Sequence, residues 1–396
     1  MREKRGITKT LLAAVLAFAL ATTALMGCAA GAPQGASGSS SGSGAGSGSA
    51  SGGAASPAPA TGTRTVVDML DRKVEIPAEV NRVIGLGSSS LRMIAYLEQV
   101  DKVIGVELAE QEDTVTCAYR HIYHEEFAAL PVVGEGGSKG VTPNEEAIIQ
   151  AAPEVIIASI DKDSADSLAE KTNIPVICIT LSDIIFDQIF YDNTVMLGEV
   201  LGAEQRADEL IAYIQDVQAD LKKRTDSLAA DEVHSAYAAG ISFRGGHGFA
   251  GTEAHFPPFE AVRVTNIADV ASASGAYDID LEEVSAAQPD FIFIESGNYP
   301  LVKEDYDGNP AYFAALNAVQ QGKLYSLISY RFYATNVELA LANCYQVGSS
   351  VYPAAFSGID PTAKLDEITT FFLGKPLSSD LADAGYRFEK VDLGKL

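Results

Sequence analysis

One pattern occurs twice in the sequence, and this internal duplication constrains the fold more than any other feature. The first copy, residues 144–157, reads NEEAIIQAAPEVII, and the second copy, residues 280–293, reads DLEEVSAAQPDFIF. In this register Glu146 aligns with Glu282, and the two prolines coincide. Each copy predicts a short helix that begins at a polar cap and ends at the proline, followed by an apolar strand. The duplication therefore predicts two similar structural units.

The remaining strand and helix signals predict the α/β class. Strands that are apolar throughout suit sheets buried on both faces, and strands that alternate with helices indicate mostly parallel sheets. Between the two copies, residues 203–229 carry apolar side chains at a spacing of three and four, which predicts one long helix. We expect two α/β lobes, residues 64–202 and 230–396, joined by this single helix. Further apolar strands are predicted at 82–86, 102–106, 174–179 and 233–239.

The N-terminus predicts export and lipid attachment. A basic start is followed by an apolar run and by Gly27-Cys28, which is typical of a secretory signal over residues 1–27. The position of Cys28 resembles the lipobox of bacterial lipoproteins, in which that cysteine carries the lipid; an uncleaved membrane anchor is the alternative. Residues 28–63 are almost entirely Gly, Ser, Ala and Pro after the cysteine, a composition that predicts a disordered tether. We expect an extracytoplasmic protein anchored to the cell membrane by lipid on Cys28.

Charge and cysteine content exclude several classes of function. The formal net charge is −25, and a strongly acidic surface argues against nucleic acid or anionic lipid as partners. No later apolar run approaches the length of a transmembrane helix. The three remaining cysteines, Cys117, Cys178 and Cys344, match no zinc pattern and leave room for at most one disulfide, whose pairing the sequence does not define.

The folded part resembles a known family over residues 64 to about 373. The segments on which this resemblance rests include TVVDMLDRKVEIP at 65–77, NRVIGL at 81–86, GGHGF at 245–249 and YATNVELA at 333–340. They resemble substrate-binding lipoproteins of ABC importers in the ferric siderophore, haem and vitamin B12 class, and most closely its iron-complex branch. The resemblance implies Rossmann-like lobes in the class III periplasmic-binding-protein fold.

The same resemblance implies partners and a docking surface. In this class each lobe presents a glutamate to arginines of the membrane permease, and the matching positions are Glu146 and Glu282. Charge complementarity of this kind sets encounter rate and orientation, although acidic residues are also favoured in the first turn of any helix. We expect a monomer that works with an ABC permease and its ATPase.

Ligand-binding residues are expected in the cleft between the lobes, where strand ends converge. Serines and an arginine follow the strand that ends at Leu86, where a helix N-terminus, hydroxyl groups and a guanidinium favour an anion; a plain helix cap is the alternative. Three further clusters combine basic and aromatic side chains in loops, and surface packing is the alternative for each. The candidates are Ser88, Ser89 and Arg92; Tyr119 and Arg120; Arg244, His247 and Phe249; and Tyr330, Arg331 and Tyr333.

The sequence therefore predicts a binding protein with an iron chelate, a ferric siderophore or haem, as its ligand. Molybdate, tungstate or cobalamin in the same receptor role is the nearest alternative, and an extracellular solute sensor or hydrolase is the alternative of another class. The sequence contains no Gly-x-Ser-x-Gly elbow, His-Glu-x-x-His motif or Walker loop. We expect no catalytic residues, no cofactor and no directly bound metal ion.

Overall fold

A computed structural model describes residues 62–137, 140–182, 184–270 and 273–396. The predicted signal, Cys28 and nearly all of the tether lie outside these residues. All of the described residues belong to one compact unit.

The N-terminal lobe begins with an antiparallel hairpin and continues into two parallel sheets. Strands β3, β6 and β7 form one sheet in the order β3-β6-β7, and β4 and β5 form the other. An isolated bridge between Val83 and Val103 links the two. The strands are β1 (Thr63–Val67), β2 (Lys73–Pro77), β3 (Val83–Leu86), β4 (Val106–Glu107), β5 (Val132–Gly134), β6 (Val155–Ala158) and β7 (Val176–Cys178).

Helices of the N-terminal lobe follow the parallel strands, as the alternating pattern predicts. Every residue of β3, β6 and β7 is buried, as expected for a parallel sheet whose faces are covered by helices. These helices are α1 (Ser90–Tyr96), α2 (Ala118–Ile122), α3 (His124–Ala128), α4 (Glu145–Ala151), α5 (Lys162–Thr172) and α6 (Gln188–Leu201).

The long helix α7 spans Glu204–Thr225 and has 22 residues. At 1.5 Å per residue it is roughly 33 Å long. Its buried residues recur at three and four, and the apolar ones pack in the main hydrophobic core of the molecule, while the opposite face is charged. The buried side chains are Ala207, Leu210, Ile214, Val217, Leu221 and Thr225.

The C-terminal lobe is built around a four-stranded sheet of order β10-β8-β12-β13, in which all neighbours are parallel. Strands β9 and β11 form a separate antiparallel pair. The strands are β8 (Ser235–Ala239), β9 (Gly251–Ala254), β10 (Thr265–Asn266), β11 (Gly275–Asp278), β12 (Phe291–Glu295) and β13 (Leu324–Leu327). The helices are α8 (Pro257–Glu260), α9 (Leu281–Ala287), α10 (Tyr299–Gly308), α11 (Pro310–Ala314), α12 (Asn317–Gln320), α13 (Val337–Val351), α14 (Pro361–Leu373) and α15 (Ser378–Asp383).

The structure reproduces the sequence duplication element by element. Helices α4 and α9 each have seven residues and a side-chain N-cap, supplied by Asn144 and Asp280 respectively. Each helix ends at a non-glycine residue in the left-handed region, Ala152 with φ 52° and Gln288 with φ 45°. The buried strands β6 and β12 follow. Two α/β lobes with mostly parallel sheets are therefore confirmed.

One hydrophobic core extends through both lobes. It contains residues of β3, β8 and β12 together with helices α1, α6, α7, α13 and α14. The Tyr96 ring packs edge-on against Phe372 at 4.9 Å, and its hydroxyl donates a hydrogen bond to buried Glu338. In the described parts of the chain, no helix has both the length and the apolar character needed to cross a bilayer.

Candidate functional site

The candidate site lies where the carboxyl ends of parallel strands from both lobes meet. In the N-terminal lobe the loops that follow β3, β4 and β5 reach this region, and in the C-terminal lobe the loops after β8 and β13 do so. Ligands of open α/β sheets bind at this edge because loops replace the hydrogen-bonded strands there. The loop after β13 contains residues 331–336, here called the cleft turn.

The cleft turn is strained and heavily supported. Tyr333 has φ 53° and Ala334 has φ 66°, and left-handed backbone at non-glycine residues costs on the order of 1–3 kcal/mol each. An isolated bridge between Arg331 and Thr335 closes the turn. The buried side-chain amide of Asn336 donates to the carbonyl oxygens of Tyr330, at 3.0 Å, and Phe332, at 3.1 Å. Several contacts therefore fix one conformation that the sequence alone does not favour.

Arg92 supports the cleft turn from the opposite lobe. Its side chain is 1% exposed, and its Nη2 atom donates to the carbonyl oxygens of Phe332, at 3.1 Å, and Tyr333, at 2.8 Å. The Nη1 atom donates to the Ser89 hydroxyl at 2.8 Å. Ser89 and Arg92 line a cavity of only about 30 Å³. The guanidinium thus holds the protein's own backbone instead of facing a ligand pocket.

Tyr333 anchors the other side of the turn. Its hydroxyl donates to the Glu107 carboxylate at 3.2 Å and accepts the Gly137 backbone N–H at 3.2 Å. The Arg120 guanidinium lies 4.2 Å from the centre of the Tyr333 ring, within the range of a cation–π interaction. Four groups of the N-terminal lobe, Arg92 included, therefore hold a turn of the C-terminal lobe.

A buried set of charges lies beneath this turn. Glu107 is 0% exposed and accepts the Gly87 backbone N–H at 2.7 Å. Burial raises the pKa of Glu107 to about 6, and the nearby Glu110 carboxylate adds to the effect while the Gly87 bond opposes it. Burial also raises the pKa of Glu110, which accepts hydrogen bonds from the Tyr119 hydroxyl at 2.7 Å and the Arg120 Nε at 2.9 Å.

Two open pockets flank the cleft turn. The first, the N-side pocket, has a volume of about 490 Å³ and includes Phe332 and Tyr333 with residues of the N-terminal lobe. The second, the C-side pocket, has a volume of about 550 Å³ and includes Arg331 and Ala334 with residues of the C-terminal lobe. The other N-side residues are Leu108, Ala109, Glu112, Arg120, Glu135, Gly136 and Gly137, and the other C-side residues are Ser242, Phe243, Arg244, Glu253, Gly275 and Ala276.

The C-side pocket is lined by two arginines and one glutamate. Arg244 is exposed, and no ion pair or hydrogen bond joins its side chain to another described residue. Arg331 forms a two-pronged ion pair with Glu253, with Nε to Oε2 at 3.0 Å. Arg244 therefore supplies a guanidinium that faces solvent at the pocket, a group suited to carboxylate, catecholate or other anionic oxygens.

The structure changes the interpretation of several predicted residues. Phe249 was predicted to bind the ligand, but the structure contradicts this prediction. Its ring is 0% exposed and packs edge-on against Phe313 at 4.8 Å in the core of the C-terminal lobe. Tyr330 is buried against Phe256, and Tyr119 is buried against Glu110, so both pack inside the protein. All three side chains are buried, which places them inside the protein instead of on the cleft surface.

The remaining predicted residues lie at or near the cleft. Ser88 and Ser89 are partly exposed at the start of α1, but Ser89 has φ 71° and its side chain caps no helix N–H. His247 stacks on Phe243 at 3.6 Å, and its ring nitrogens contact Asp278 and the Phe243 carbonyl oxygen, both at 2.9 Å. Both ring nitrogens therefore already have partners within the C-terminal lobe.

Three residues important to the cleft were missed by sequence reasoning. Glu107 is a carboxylate at the carboxyl end of an apolar strand, a position that signals a buried partner. Phe332 is 40% exposed in the N-side pocket, and it lies inside a cluster that the sequence already singled out. Asn336 precedes α13 and is 0% exposed, but nothing in the sequence distinguishes it from an ordinary helix cap.

The residues expected to dock the permease occupy equivalent exposed positions. Glu146 is the second residue of α4, and Glu282 is the second residue of α9. Both side chains are exposed, whereas the neighbouring Glu145 forms an ion pair with Lys171 at 3.0 Å. The three cysteines of the described region are free thiols, and all three are buried.

The comparisons with known proteins agree with this architecture. The model of a family described as periplasmic binding protein matches residues 83–330, which include the first strand of the parallel sheet and most of the cleft. The chain belongs to the periplasmic binding protein family. The family predicted from the sequence is therefore confirmed. Proteins of this family and fold are extracytoplasmic binding proteins and not enzymes.

Three relatives illustrate the range of the family. The ABC transporter substrate-binding lipoprotein YvrC of Bacillus subtilis is 25% identical over 175 residues, which cover 44% of this chain and about half, 51%, of that relative. The molybdate-binding protein MolA of Haemophilus influenzae is 23% identical over 325 residues, which cover 76% of this chain and 88% of that protein. An iron-uptake system-binding protein of Bacillus subtilis is 23% identical over 283 residues, 67% of this chain and 81% of its own length.

A solved structure of MolA with bound molybdate shares the fold. It superimposes with a TM-score of 0.60 at 20% identity and covers 79% of this chain and 98% of that chain. A second structure, a TroA-like periplasmic binding protein named FepB from Veillonella parvula, gives a TM-score of 0.62 at 20% identity over 83% of this chain and 99% of that one. At these identities the likeness concerns the fold alone.

Proposed function

We propose that the protein is a lipid-anchored extracytoplasmic receptor of an ABC importer, and that it binds an iron chelate in the cleft and delivers it to the permease. The anchor rests on the signal and on Cys28 in the sequence. The receptor role is supported by the family, by the two-lobed fold and by the relatives whose names describe ABC transport and iron uptake.

The size and chemistry of the cleft carry the choice of ligand. Pockets of about 490 and 550 Å³ lie on the two sides of the cleft turn, and each is within the range of roughly 300–1,000 Å³ that suits ligands of drug size. An exposed phenyl ring, Phe332, lies in one, and a free guanidinium, Arg244, lies in the other. A chelate with an apolar periphery and anionic oxygens matches both groups.

A molybdate or tungstate receptor is the second candidate, because the relative MolA is named for molybdate and aligns over 88% of its length. A tetrahedral oxyanion needs several convergent donors in a small enclosed site. Arg92 and Arg120, the buried cations nearest the cleft turn, already bind the Phe332 and Tyr333 carbonyl oxygens and the Glu110 carboxylate. Because these cationic donors already bind groups of the protein, an iron chelate is favoured over a tetrahedral oxyanion as the ligand.

The proposed mechanism involves binding and docking without bond chemistry. The lobes hold the chelate between them, and Glu146 and Glu282 present one carboxylate on each lobe to cationic residues of the permease. Two carboxylates on rigid lobes fix both position and rotation of the complex. The tether at Cys28 keeps the receptor close to the permease and raises its effective concentration there.

Calorimetric titration of the purified protein tests the ligand class. The panel comprises ferric catecholate and ferric hydroxamate chelates, haem, cobalamin, molybdate and tungstate. We expect at least one ferric chelate or haem to bind with a dissociation constant below about 1 μM, a free energy of roughly −8 kcal/mol. Binding of an oxyanion with no affinity for any iron complex would overturn the proposal in favour of the second candidate.

A further inference from the structure

Phe332 occupies an unusual position for a large apolar side chain. It is 40% exposed, lies in the N-side pocket and is followed by two residues with left-handed backbone, Tyr333 at φ 53° and Ala334 at φ 66°. Ligand pockets are concave and are lined mainly by apolar and aromatic side chains with a few polar groups. The same pocket is lined by a second exposed apolar side chain, Leu108 of the N-terminal lobe, at 50% exposure.

The backbone that presents Phe332 is fixed from both lobes. Arg92 binds the carbonyl oxygen of Phe332 itself and that of Tyr333, and Asn336 binds the Phe332 carbonyl oxygen from the other side. Strained conformations persist when surrounding contacts over-determine them, and they cluster at ligand sites. A fully buried arginine therefore fixes the backbone that carries one exposed ring.

We propose that Phe332 is a specificity-determining residue that stacks on an aromatic part of the ligand, and that Arg92 is a positioning residue that holds Phe332 in place. This inference rests on the proposed function and narrows its substrate class to iron chelates that carry aromatic groups, such as catecholates. Aromatic rings prefer offset or edge-on contacts that aliphatic groups do not reproduce.

The first test compares Phe332→Ala with Phe332→Tyr and with Leu108→Ala, a matched control that removes apolar surface from the same pocket. Each variant is titrated with a ferric tris-catecholate and with a ferric tris-hydroxamate of aliphatic backbone. None of these substitutions changes charge, so the different charges of the two chelates cancel when each variant is compared with the unmodified protein.

We expect Phe332→Ala to weaken catecholate binding by about tenfold and hydroxamate binding by less than about twofold. Phe332→Tyr should retain the catecholate affinity of the unmodified protein. Leu108→Ala should change the affinities for both chelates by the same factor. Equal losses for both chelates, or no loss with Phe332→Ala, would overturn the inference while leaving the receptor function standing. If the unmodified protein binds no iron chelate, the proposed function fails first, and the inference fails with it.

The second test examines positioning by Arg92 with Arg92→Lys, which keeps the charge but lacks the planar fork that reaches several acceptors. We expect this variant to lose the preference for catecholate over hydroxamate while retaining most of its affinity for hydroxamate. A melting temperature measured in parallel reports structural damage, which would lower both affinities together. An unchanged preference in a folded Arg92→Lys variant would show that Arg92 does not position the ring.

Discussion

At the scale of single residues, the buried arginines are the main surprise. Arg92 and Arg120 were expected to bind the ligand, yet both are 1% exposed and bind groups of the protein. A buried guanidinium needs several acceptors to offset the loss of its hydration, and the carbonyl oxygens of the cleft turn and the carboxylate of Glu110 supply them. Sequence shows the residue type but not which acceptors surround it.

Arg244 becomes the strongest candidate for direct contact with an anionic ligand. We predict that Arg244→Ala weakens binding of an anionic ferric chelate by about 1.5–3 kcal/mol, the range for a hydrogen bond to a charged group. The free energy of unfolding should change little, since the side chain is exposed. Lys223→Ala, which removes an exposed charge from α7, is the matched control. Equal affinities in calorimetry for the two variants would remove Arg244 from the site.

Glu107 gives a prediction for the dependence of stability on pH. Its pKa rises from the ordinary value of 4.5 to about 6 on folding, so the folded state binds the proton more tightly. The stability it contributes is complete below about pH 4.5 and is lost as the pH rises through 6. Relative to Glu107→Gln, the unmodified protein should lose about 2 kcal/mol of unfolding free energy between pH 4.5 and 7.

Urea unfolding of both proteins at several pH values measures this difference. Subtracting the two curves cancels the titration of groups that do not interact with Glu107. The difference in unfolding free energy between the two proteins should stay constant above about pH 7, where Glu107 is ionised in both the folded and the unfolded state. A difference that does not vary with pH would mean that the Glu107 carboxyl has the same pKa folded and unfolded.

At the scale of elements, the duplicated unit was the most predictable part of the molecule. The polar caps, the prolines and the apolar strands of residues 144–157 and 280–293 all act locally, so the pattern predicted α4, β6, α9 and β12. The cleft turn was not predictable, because Tyr333 and Ala334 adopt left-handed backbone only through contacts with residues distant in the sequence, such as Arg92.

The left-handed helix ends of the duplicated units can be tested by substitution. Ala152 ends α4 with φ 52°, a conformation that glycine adopts more readily than alanine. We predict that Ala152→Gly raises the free energy of unfolding by about 0.5–1 kcal/mol, after the greater entropy of unfolded glycine is allowed for.

Gly202 provides the matched control at the end of α6. It has φ 66°, and a side-chain methyl group there would meet nothing within 4 Å, so Gly202→Ala should lower the free energy of unfolding by a similar amount through backbone conformation alone. Denaturant unfolding of both variants measures the pair. Changes of opposite sign in the free energy of unfolding support the backbone explanation, and a destabilised Ala152→Gly protein would refute it.

At the scale of the whole molecule, the two exposed carboxylates predict a separation of binding from delivery. Glu146 and Glu282 lie on α4 and α9, and neither lines the pockets beside the cleft turn. We predict that the double variant Glu146→Ala, Glu282→Ala keeps the ligand affinity of the unmodified protein but lowers uptake of the chelate by cells. Glu145→Ala with Glu283→Ala, one position away in each helix, is the control.

Uptake of iron-labelled chelate by cells lacking the gene, supplied with each variant, measures delivery. Deletion alone should lower uptake, because a receptor of an importer is required for transport whereas a solute sensor is not. Normal uptake with the double variant would refute docking through these carboxylates. Uptake unaffected by deletion would refute the transport role itself.

Hydrogen exchange of the purified protein, with and without the iron chelate that binds most tightly, tests most directly the claim that the ligand lies between the lobes. We predict that the chelate slows exchange of backbone amides in the cleft turn and in residues 242–246 and 135–137, on both sides of the cleft. Two results would contradict the account: slower exchange confined to one lobe away from the cleft turn, or unchanged exchange rates in protein saturated with the chelate.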